Sequence, residues 1–339
     1  MPFKEINEMK SKATLKTIST TLNISISTVS RALKNHPDIS DDTKKRVKEL
    51  AELMEYEPNT YAINLRTNQS KLLGVIVPQI SSFFYHSFVE AIEEEGKKQG
   101  YSLLILQSGD DPGAEMENLK LCRLNRVAGL FISITPNTTH IDTFLHFEEL
   151  VAPVIFYDKV PEFEACNKIL SADEEAATIA ALEIIKKNKK NILALFGNKE
   201  LSITKKRLPA FEKVFSENSP ETKLTIEFAN SSEEAFTITK HSLSQKSRPD
   251  TIFCMSDEIL TGVMKIVQQL QIKLPEEIAV IALSNGFIPT LYYPEITYVE
   301  TSGKQLGKLA FQRMMEYIAG KTFIQELSIR ARLVAGGSL

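Results

Sequence analysis

The N-terminal region carries apolar positions at helical spacing, in three short groups separated by polar turns. The groups are Leu15, Ile18 and Leu22, then Val29 and Leu33, then Val47, Leu50, Ala51 and Met54. Thr14, Ser25 and Ser40 precede the three groups, and each side chain is suited to cap a helix. Asn23 lies between the first two groups, where a tight turn favours a residue that tolerates a positive φ. The pattern therefore predicts three short helices with a tight turn between the first and the second.

The third helix is expected to end before Pro58, because proline cannot continue a helix. The segment that follows, "TYAINLRT", could form one more short helix with Asn59 as its cap. It is too short to be a stable helix in isolation.

From Lys71 onward, apolar strands alternate with amphipathic helices of about 10–15 residues. The first strand is the continuous apolar run "KLLGVIVPQI", which indicates burial on both faces. This alternation predicts parallel sheets with crossover helices. Two doubly wound lobes explain the two similar series better than one large sheet, and a break at residues 160–172 favours that division. A TIM barrel is the competing architecture.

The carboxyl ends of the predicted strands carry short polar sequences, which read "VPQISSFF", "FYDK", "FGNKE", "CMSDE" and "LSNG". In open α/β sheets, ligands bind in the crevice at this edge. The pattern therefore predicts a ligand cleft between the two lobes.

Composition is ordinary for a globular protein of 339 residues, with 43% hydrophobic residues, 24% charged residues and a net charge of −3. Residues 1–70 carry 11 Lys/Arg against 9 Asp/Glu, and the remainder carries 29 against 34. A weakly basic head on an acidic body fits a head that docks on phosphates, but solvated surface charge gives the same balance.

The cysteines and the hydropathy pattern indicate the cellular compartment in which the protein is expected. Cys122, Cys166 and Cys254 lie far apart, which argues for a reducing compartment and against a metal cage. The N-terminus has no apolar segment typical of a signal peptide, and no run of about 18 apolar residues could span a membrane. We expect a cytoplasmic protein with no metal site and no membrane partner.

Catalytic signatures do not assemble in this sequence. It has no G-x-S-x-G elbow, no phosphate loop of the G-x-x-x-x-G-K-[ST] type, no H-E-x-x-H and no G-x-G-x-x-G. We therefore expect neither an enzyme nor catalytic residues, and no cofactor.

The second predicted helix begins with small hydroxyl side chains in the stretch "SISTVSRALKNHPDIS". In a helix–turn–helix, the N-terminal residues of the second helix contact base edges in the major groove. Ser27 and Arg31 share one face of this helix, while Val29 and Leu33 face inward. Short hydroxyls permit close approach, and arginine can bond guanine bidentately. A surface helix with an ordinary arginine is the alternative.

A family resemblance strengthens the nucleic-acid interpretation. The stretch "TLKTISTTLNISISTVSRALKNHPDISDDTKKRVKELAELMEYEPN" resembles the DNA-binding head of the lactose-repressor (LacI/GalR) family of bacterial transcription regulators. "YEPNTYAINLRT" resembles the family's hinge, and "LLGVIVPQISSFF" resembles the first strand of its effector domain. The resemblance extends from residue 14 to about 330. It implies a small all-α helix-turn-helix head and an α/β two-lobe effector domain like the periplasmic binding proteins, with doubly wound parallel sheets.

Pattern and resemblance together give the expected domain boundaries. These are a flexible arm at 1–13, a helix-turn-helix DNA-binding domain at 14–58, a hinge helix or linker at 59–70, and a two-lobe effector-binding and dimerisation domain at 71–339. Lobe 1 is expected at about 71–170 and 299–328, and lobe 2 at about 171–298 and 329–339.

The resemblance also implies which residues contact DNA. Ile26, Ser27 and Arg31 occupy the family's base-reading positions, and the residues implied near the phosphates or at helix caps are Thr14, Ser25, Thr28 and Ser30. In the hinge, Leu65 matches a leucine that wedges into a base step of the minor groove, with Asn59 and Ala62 beside it. Ordering the hinge on DNA would couple its folding to binding. Packing of Leu65 against the body is the alternative.

Six residues are implied at the effector cleft, namely Phe83, Phe84, Asp158, Arg207, Asp257 and Ser284. Phe83 and Phe84 could instead be core residues, and Asp257 could merely cap the following helix. Ser284 replaces a carboxylate that the family commonly uses for sugar hydroxyls. Because this loss removes an acidic group, it favours a sugar acid or another anion, with Arg207 and the neighbouring Lys205 or Lys206 available to bind it.

The resemblance implies a homodimer on a pseudo-palindromic double-stranded DNA operator, controlled by a small carbohydrate-derived effector. A ligand-responsive regulator, and more specifically a repressor, is the function expected. A ligand-binding receptor without a DNA role and an enzyme on a doubly wound fold are the alternatives. The sequence distinguishes neither a repressor from an activator nor an inducer from a corepressor.

Overall fold

The computed structural model describes residues 13–57 and 70–339, and the chain divides into two compact units, residues 1–69 and residues 70–339. The described part of the first unit contains three helices, α1 (Leu15–Leu22), α2 (Ile26–Leu33) and α3 (Asp41–Leu53). Their predicted caps are confirmed, since the side chains of Thr14, Ser25 and Ser40 accept hydrogen bonds from backbone N–H groups in the first turns.

The core of the first unit is small and is built from the predicted apolar positions. Ile18, Val29, Val47 and Met54 are almost completely buried against one another. Asn23 ends α1 at a φ of 53°, the left-handed conformation that the turn requires. The helix pattern of this region is therefore confirmed.

The second unit alternates strands and helices, as the sequence predicts. Its first elements are β1 (Leu72–Val77), α4 (Phe83–Lys98), β2 (Ser102–Gln107), α5 (Pro112–Leu124), β3 (Gly129–Ile132), α6 (Ile141–Leu150), β4 (Val154–Tyr157) and β5 (Asn167–Ser171). They are followed by α7 (Asp173–Lys186), β6 (Asn191–Phe196), α8 (Ser202–Asn218), β7 (Lys223–Phe228), α9 (Ser232–Ser244), β8 (Thr251–Cys254), α10 (Asp257–Gln269), β9 (Ala279–Ser284), a 3₁₀ turn (Ile288–Leu291) and β10 (Thr297–Glu300). The last elements are α11 (Gly303–Ile318), β11 (Glu326–Ile329) and β12 (Arg332–Val334).

These strands form two separate six-stranded sheets, which excludes a TIM barrel. The first sheet has the order β11-β5-β4-β3-β1-β2, and the second has the order β12-β10-β9-β8-β6-β7. All neighbouring strands are parallel except β12, which runs antiparallel to β10 at one edge. The two-lobe architecture is therefore as expected.

The region interpreted as a break between lobes contains β5, a fully buried strand of the first sheet. Its signal is weak in the sequence because three of its five residues are polar. Asn167 nevertheless contributes to the fold, since its Oδ1 accepts from Arg313 Nε at 3.1 Å and from the Gln325 backbone at 3.2 Å. A buried strand that contains several polar residues cannot be recognised from apolar runs alone.

The described chain passes between the two sheets at three places, after β5, after β10 and after β11. Two of these crossings lie side by side, because the Ala172 N–H donates to the Ile329 carbonyl at 2.9 Å. The expected lobe boundary at residues 298 and 299 falls inside β10, which belongs wholly to the second sheet. The three crossings connect the lobes.

The described residues were compared with the requirements of a membrane-spanning helix and of a metal site. Across residues 13–57 and 70–339, no helix combines the length and the apolar character needed to cross a bilayer. The same residues hold no group of three or more His, Cys, Asp or Glu side chains placed to bind a metal ion.

Candidate functional site

Helix α2 presents a polar face whose inner side is fixed in the core. Val29 and Ala32 are buried, whereas Ile26, Ser27 and Arg31 are exposed. Ile26 leaves 47% of its surface accessible, so its side chain is available for a contact outside the protein. The three residues predicted to read bases therefore lie on the accessible side of the helix.

The start of α2 carries a cluster of hydroxyl groups. Ser25 Oγ lies 2.7 Å from Ser27 Oγ and 2.8 Å from Thr28 Oγ1, and it accepts from the Thr28 N–H at 3.0 Å. Ser30 follows one turn later and is half-buried. Thr14 caps α1 and is itself exposed. Small hydroxyls at a helix N-terminus are suited to phosphate oxygens and base edges, because they add hydrogen bonds without bulk.

The Arg31 guanidinium is available for an external acceptor. No side chain in residues 13–57 or 70–339 forms an ion pair or a hydrogen bond with it, although Asp38, Asp41 and Asp42 follow in the same unit. Arginine carries five N–H donors in a planar fork, and this fork matches the O6 and N7 atoms of guanine.

The second unit contains a cleft of about 360 Å³ at the carboxyl ends of strands from both sheets. Five of the six residues implied at the effector site line it, namely Phe84, Asp158, Arg207, Asp257 and Ser284. The volume is in the range of small-molecule sites, roughly 300–1,000 Å³. Placement at the strand ends follows the general rule for open α/β sheets.

Asp158 ends β4 and forms one side of the cleft. It adopts a φ of 57°, and its Oδ2 accepts from the Tyr85 hydroxyl at 2.6 Å. The Tyr85 hydroxyl also lies 3.1 Å from Ser133 Oγ. Burial raises the pKa of Asp158, while the Tyr85 hydrogen bond and the charges of Lys159 and Arg207 oppose that rise. Burial and the neighbouring Asp158 also raise the pKa of Tyr85, so the phenol stays protonated as a donor.

Arg207 lies in α8 and is already largely engaged inside the protein. Its Nε and Nη2 atoms donate to Asp173 Oδ1 at 2.8 and 2.7 Å, and its Nη1 donates to the Met255 carbonyl at 3.1 Å. Three of the five N–H donors of an arginine are therefore used. The Arg207 guanidinium, which was expected to bind a ligand, is thus mostly bound within the protein. Only its remaining N–H groups can donate hydrogen bonds to a bound molecule.

Asp257 bridges two elements of the second lobe. It accepts a hydrogen bond from the Ser284 hydroxyl and another from the Asn285 N–H at 3.0 Å. The cap of α10 is Ser256, whose Oγ accepts from the Ile259 N–H, so the interpretation of Asp257 as a mere cap is wrong. Burial raises the pKa of Asp257, and these two hydrogen bonds oppose that rise. Asp257 therefore places a carboxyl group beside Ser284 at the wall of the cleft.

Phe83 is placed differently from the other five residues. It is not among the residues that line the cleft, and its ring is 42% exposed and lies 5.2 Å from the ring of Phe287. Its backbone carbonyl accepts from Asn285 Nδ2 at 3.3 Å. Phe83 therefore contributes to contact between the lobes, whereas Phe84 faces the ligand space.

The sequence patterns missed several residues of the cleft. Tyr85 follows the two predicted phenylalanines, Lys159 follows Asp158, and Asn285 follows Ser284. Lys159 and Asn285 lie in strand-end sequences already identified as polar, and Tyr85 directly follows one, so the region was signalled but the individual side chain was not. Asn230 joins them from the end of β7, whose strand-end residues were not considered.

Two family models match the chain over nearly its whole length. Residues 14–59 match the model of "Bacterial regulatory proteins, lacI family", and residues 70–336 match "Periplasmic binding proteins and sugar binding domain of LacI family".

The chain belongs to the LacI family.

As a LacI-family protein it is a DNA-binding transcriptional regulator with an effector-binding domain. A relative is the HTH-type transcriptional repressor PurR of Vibrio atlanticus (strain LGP32), which is 23% identical over 91% of this chain and 93% of that protein. PurR of Aliivibrio fischeri (strain MJ11) is 25% identical over 91% of this chain and 93% of its own length.

Solved structures of LacI-family proteins share the fold. The Lac repressor dimer bound to operator and the anti-inducer ONPF has a TM-score of 0.85 at 20% identity, covering 96% of this chain and 98% of that one. A LacI transcriptional regulator from Alkaliphilus metalliredigens, complexed with D-xylulofuranose, has a TM-score of 0.69 at 22% identity and covers 79% of this chain and 99% of its own.

The hinge residues Asn59, Ala62 and Leu65 lie outside the described residues. Their roles remain predictions from the family resemblance.

Proposed function

We propose that this regulator is a homodimeric repressor that binds a pseudo-palindromic operator and is controlled by a small hydroxylated effector in the cleft. It acts by binding and not by catalysis. The proposal follows the repressor function of its named relatives and the dimer seen for the Lac repressor. A two-fold protein reads two half-sites of opposite orientation, which makes a palindrome the matching target.

In this proposal, α2 enters the major groove with Ile26, Ser27 and Arg31 toward the bases. Thr14, Ser25, Thr28 and Ser30 serve the phosphates and the helix caps, while Asn59, Ala62 and Leu65 serve the minor groove. One observation carries the proposal. Ser27 and Arg31 are exposed one turn apart on α2, and the opposite side of this helix is packed in the core.

The effector part of the proposal rests on the buried polar groups of the cleft. Phe84, Asp158, Arg207, Asp257 and Ser284 come from both lobes, so one ligand can contact both at once. A ligand that binds one arrangement of the lobes better than another shifts the population toward it, and hinge closure is the usual form of that shift.

Sequence selection from random duplexes tests the DNA part of the proposal. The protein should enrich a palindromic site, and Arg31→Ala should weaken binding by about 1–3 kcal/mol and relax the preference at one base pair in each half-site. The matched control is Arg46→Ala, which removes the same charge from an exposed position of α3. This control should leave the base preference intact. Failure of the parent protein to enrich any sequence would leave a receptor without a DNA role.

A further inference from the structure

The charges that line the cleft do not balance. Four carboxylates, those of Asp110, Asp158, Asp257 and Glu258, face two cations, Lys159 and Arg207. Both cations are already paired, since Lys159 Nζ lies 3.1 Å from Asp110 and Arg207 Nη2 lies 2.7 Å from Asp173. Little positive charge is left for a ligand.

Three carboxylates of the cleft have no cation in direct contact among the described residues. Within residues 13–57 and 70–339, none of Asp158, Asp257 and Glu258 forms an ion pair. Glu258 is exposed at the edge of the cleft, whereas Asp158 is only 7% exposed. An uncompensated carboxylate in such a position is costly, because water is replaced by a medium of lower dielectric constant.

The two carboxylate oxygens of Asp158 differ in their hydrogen bonding. Its Oδ2 accepts from Tyr85, but its Oδ1 accepts no hydrogen bond within the described part of the chain. That oxygen is not one of the completely enclosed polar atoms that lack a partner. Since Asp158 lines the cleft, its Oδ1 is open to the ligand space. A largely buried acceptor that faces the cleft fits a donor supplied by the ligand.

The charged groups in and around the cleft disfavour binding of an anionic ligand. Lys205, which the sequence offers as a second cation, is paired with Glu162 at 3.3 Å and Glu200 at 3.7 Å. Neither Lys205 nor Lys206 lines the cleft. An anionic ligand would add to the charges of Asp158, Asp257 and Glu258, and repulsion is strong where the dielectric constant is low.

We propose that the effector is a compact hydroxylated molecule carrying a protonated amine, such as an amino sugar, with its ammonium group on Asp158. This reverses the preference for an anion that the replacement at Ser284 suggested, because Asp257 supplies a carboxylate there. An ammonium group satisfies the open acceptor and also reduces the charge imbalance by one unit. The inference rests on the cleft being the effector site.

Matched sugars test the proposal by calorimetry and thermal shift on the full chain. The probes are D-glucosamine, D-galactosamine and D-mannosamine, each with its N-acetyl derivative, neutral hexose and uronic acid. At least one amine should bind about tenfold or more tighter than its three matched compounds, a gap of one decade in Kd. The same amine should bind more weakly as the pH falls, because burial raises the pKa of Asp158 and its carboxylate becomes protonated.

Variants of the cleft distinguish a failure of the amine proposal from a failure of the cleft as the effector site. Asp158→Asn should remove the advantage of the amine over the neutral hexose, while Asp142→Asn, at an exposed position of α6, should change nothing. A neutral or acidic sugar that binds best, or no binding by any amine, overturns the charge proposal. Binding that neither Asp158→Asn nor Asp257→Asn affects would instead show that the cleft is not the effector site, and the proposed function would fail with it.

Discussion

At the scale of single residues, the cleft depends on charges that are almost completely enclosed. The side chains of Arg207 and Asp173 are 6% and 2% exposed and are joined at 2.7 Å. Burial raises the pKa of Asp173, and the adjacent guanidinium opposes that rise. The pair therefore holds α8 to the start of α7, and Arg207 also forms part of the cleft wall.

Arg207→Leu should destabilise the effector domain by about 3–5 kcal/mol, because Asp173 would remain buried without a partner. The double variant Arg207→Leu with Asp173→Asn should recover a large part of the loss. Chemical denaturation of both variants, without ligand, measures the two effects. Equal stability of the single variant and the parent protein would contradict a structural role for the pair.

Asp158→Asn should change the pH dependence of stability. Because burial raises the folded-state pKa of Asp158, its contribution to stability is complete below the ordinary value of about 4 and is lost as the pH rises through the raised value. The neutral variant escapes this loss and should melt at a higher temperature than the parent at pH 7, with the gap closing near pH 4. The control, Glu212→Gln at an exposed position of α8, should show no such trend.

At the scale of elements, α11 packs closely against α4 through glycine. A Cβ atom on Gly307 would lie 2.7 Å from the Phe88 carbonyl oxygen and 2.8 Å from Ala91 Cβ. Gly303, one turn earlier, meets the Phe84 carbonyl oxygen in the same way. The two helices can therefore touch backbone to backbone, which a larger residue would prevent.

Gly307→Ala should destabilise the protein by about 1–3 kcal/mol, because the helices must separate to admit the methyl group. Gly113→Ala in α5 is the matched control, since its Cβ atom would find no neighbour closer than 3.5 Å. Thermal unfolding of the two variants side by side measures the difference. A Gly307→Ala protein as stable as the Gly113→Ala protein would contradict the close packing.

At the scale of the effector domain, one side chain joins the cleft to both lobes. Asn285 Oδ1 accepts from Ser87 Oγ at 3.1 Å and from the Gly303 N–H at 2.8 Å, and its Nδ2 donates to the Phe83 carbonyl. Its own N–H donates to Asp257. A ligand that moves Asp257 therefore acts on the residue that ties the second lobe to α4 and α11.

Asn285→Ala should loosen the contact between the lobes, since each neutral hydrogen bond contributes about 1 kcal/mol. Amide hydrogen exchange should rise in residues 83–87 and 301–305. Asn218→Ala, which removes a hydrogen bond within the second lobe alone, should leave those segments unchanged. Unaltered exchange in both variants would show that Asn285 does not control the contact.

Prediction from sequence succeeded where local pattern decides the structure. The helices of the head follow from apolar spacing and from Thr14, Ser25 and Ser40, because a cap acts within its own turn. It was weaker where partners lie far away in the chain. The arginine fork of Arg207 could be named, but its engagement by Asp173 depends on how α7 and α8 pack. Likewise, β5 was missed because its pairing with β4 and β11, and the contacts of Asn167 Oδ1 with Arg313 and Gln325, join parts of the chain that lie far apart in the sequence.

The three passages of the chain between the sheets also bear on how the protein is made. The first sheet needs β11, which leaves the ribosome only after the whole second lobe apart from β12 has been synthesised. Neither lobe can be cut from the gene as one continuous piece, and a stop codon after β10 would deprive both sheets of an edge strand. The two lobes are therefore completed almost together, since β11 and β12 are separated by only a short turn of the chain.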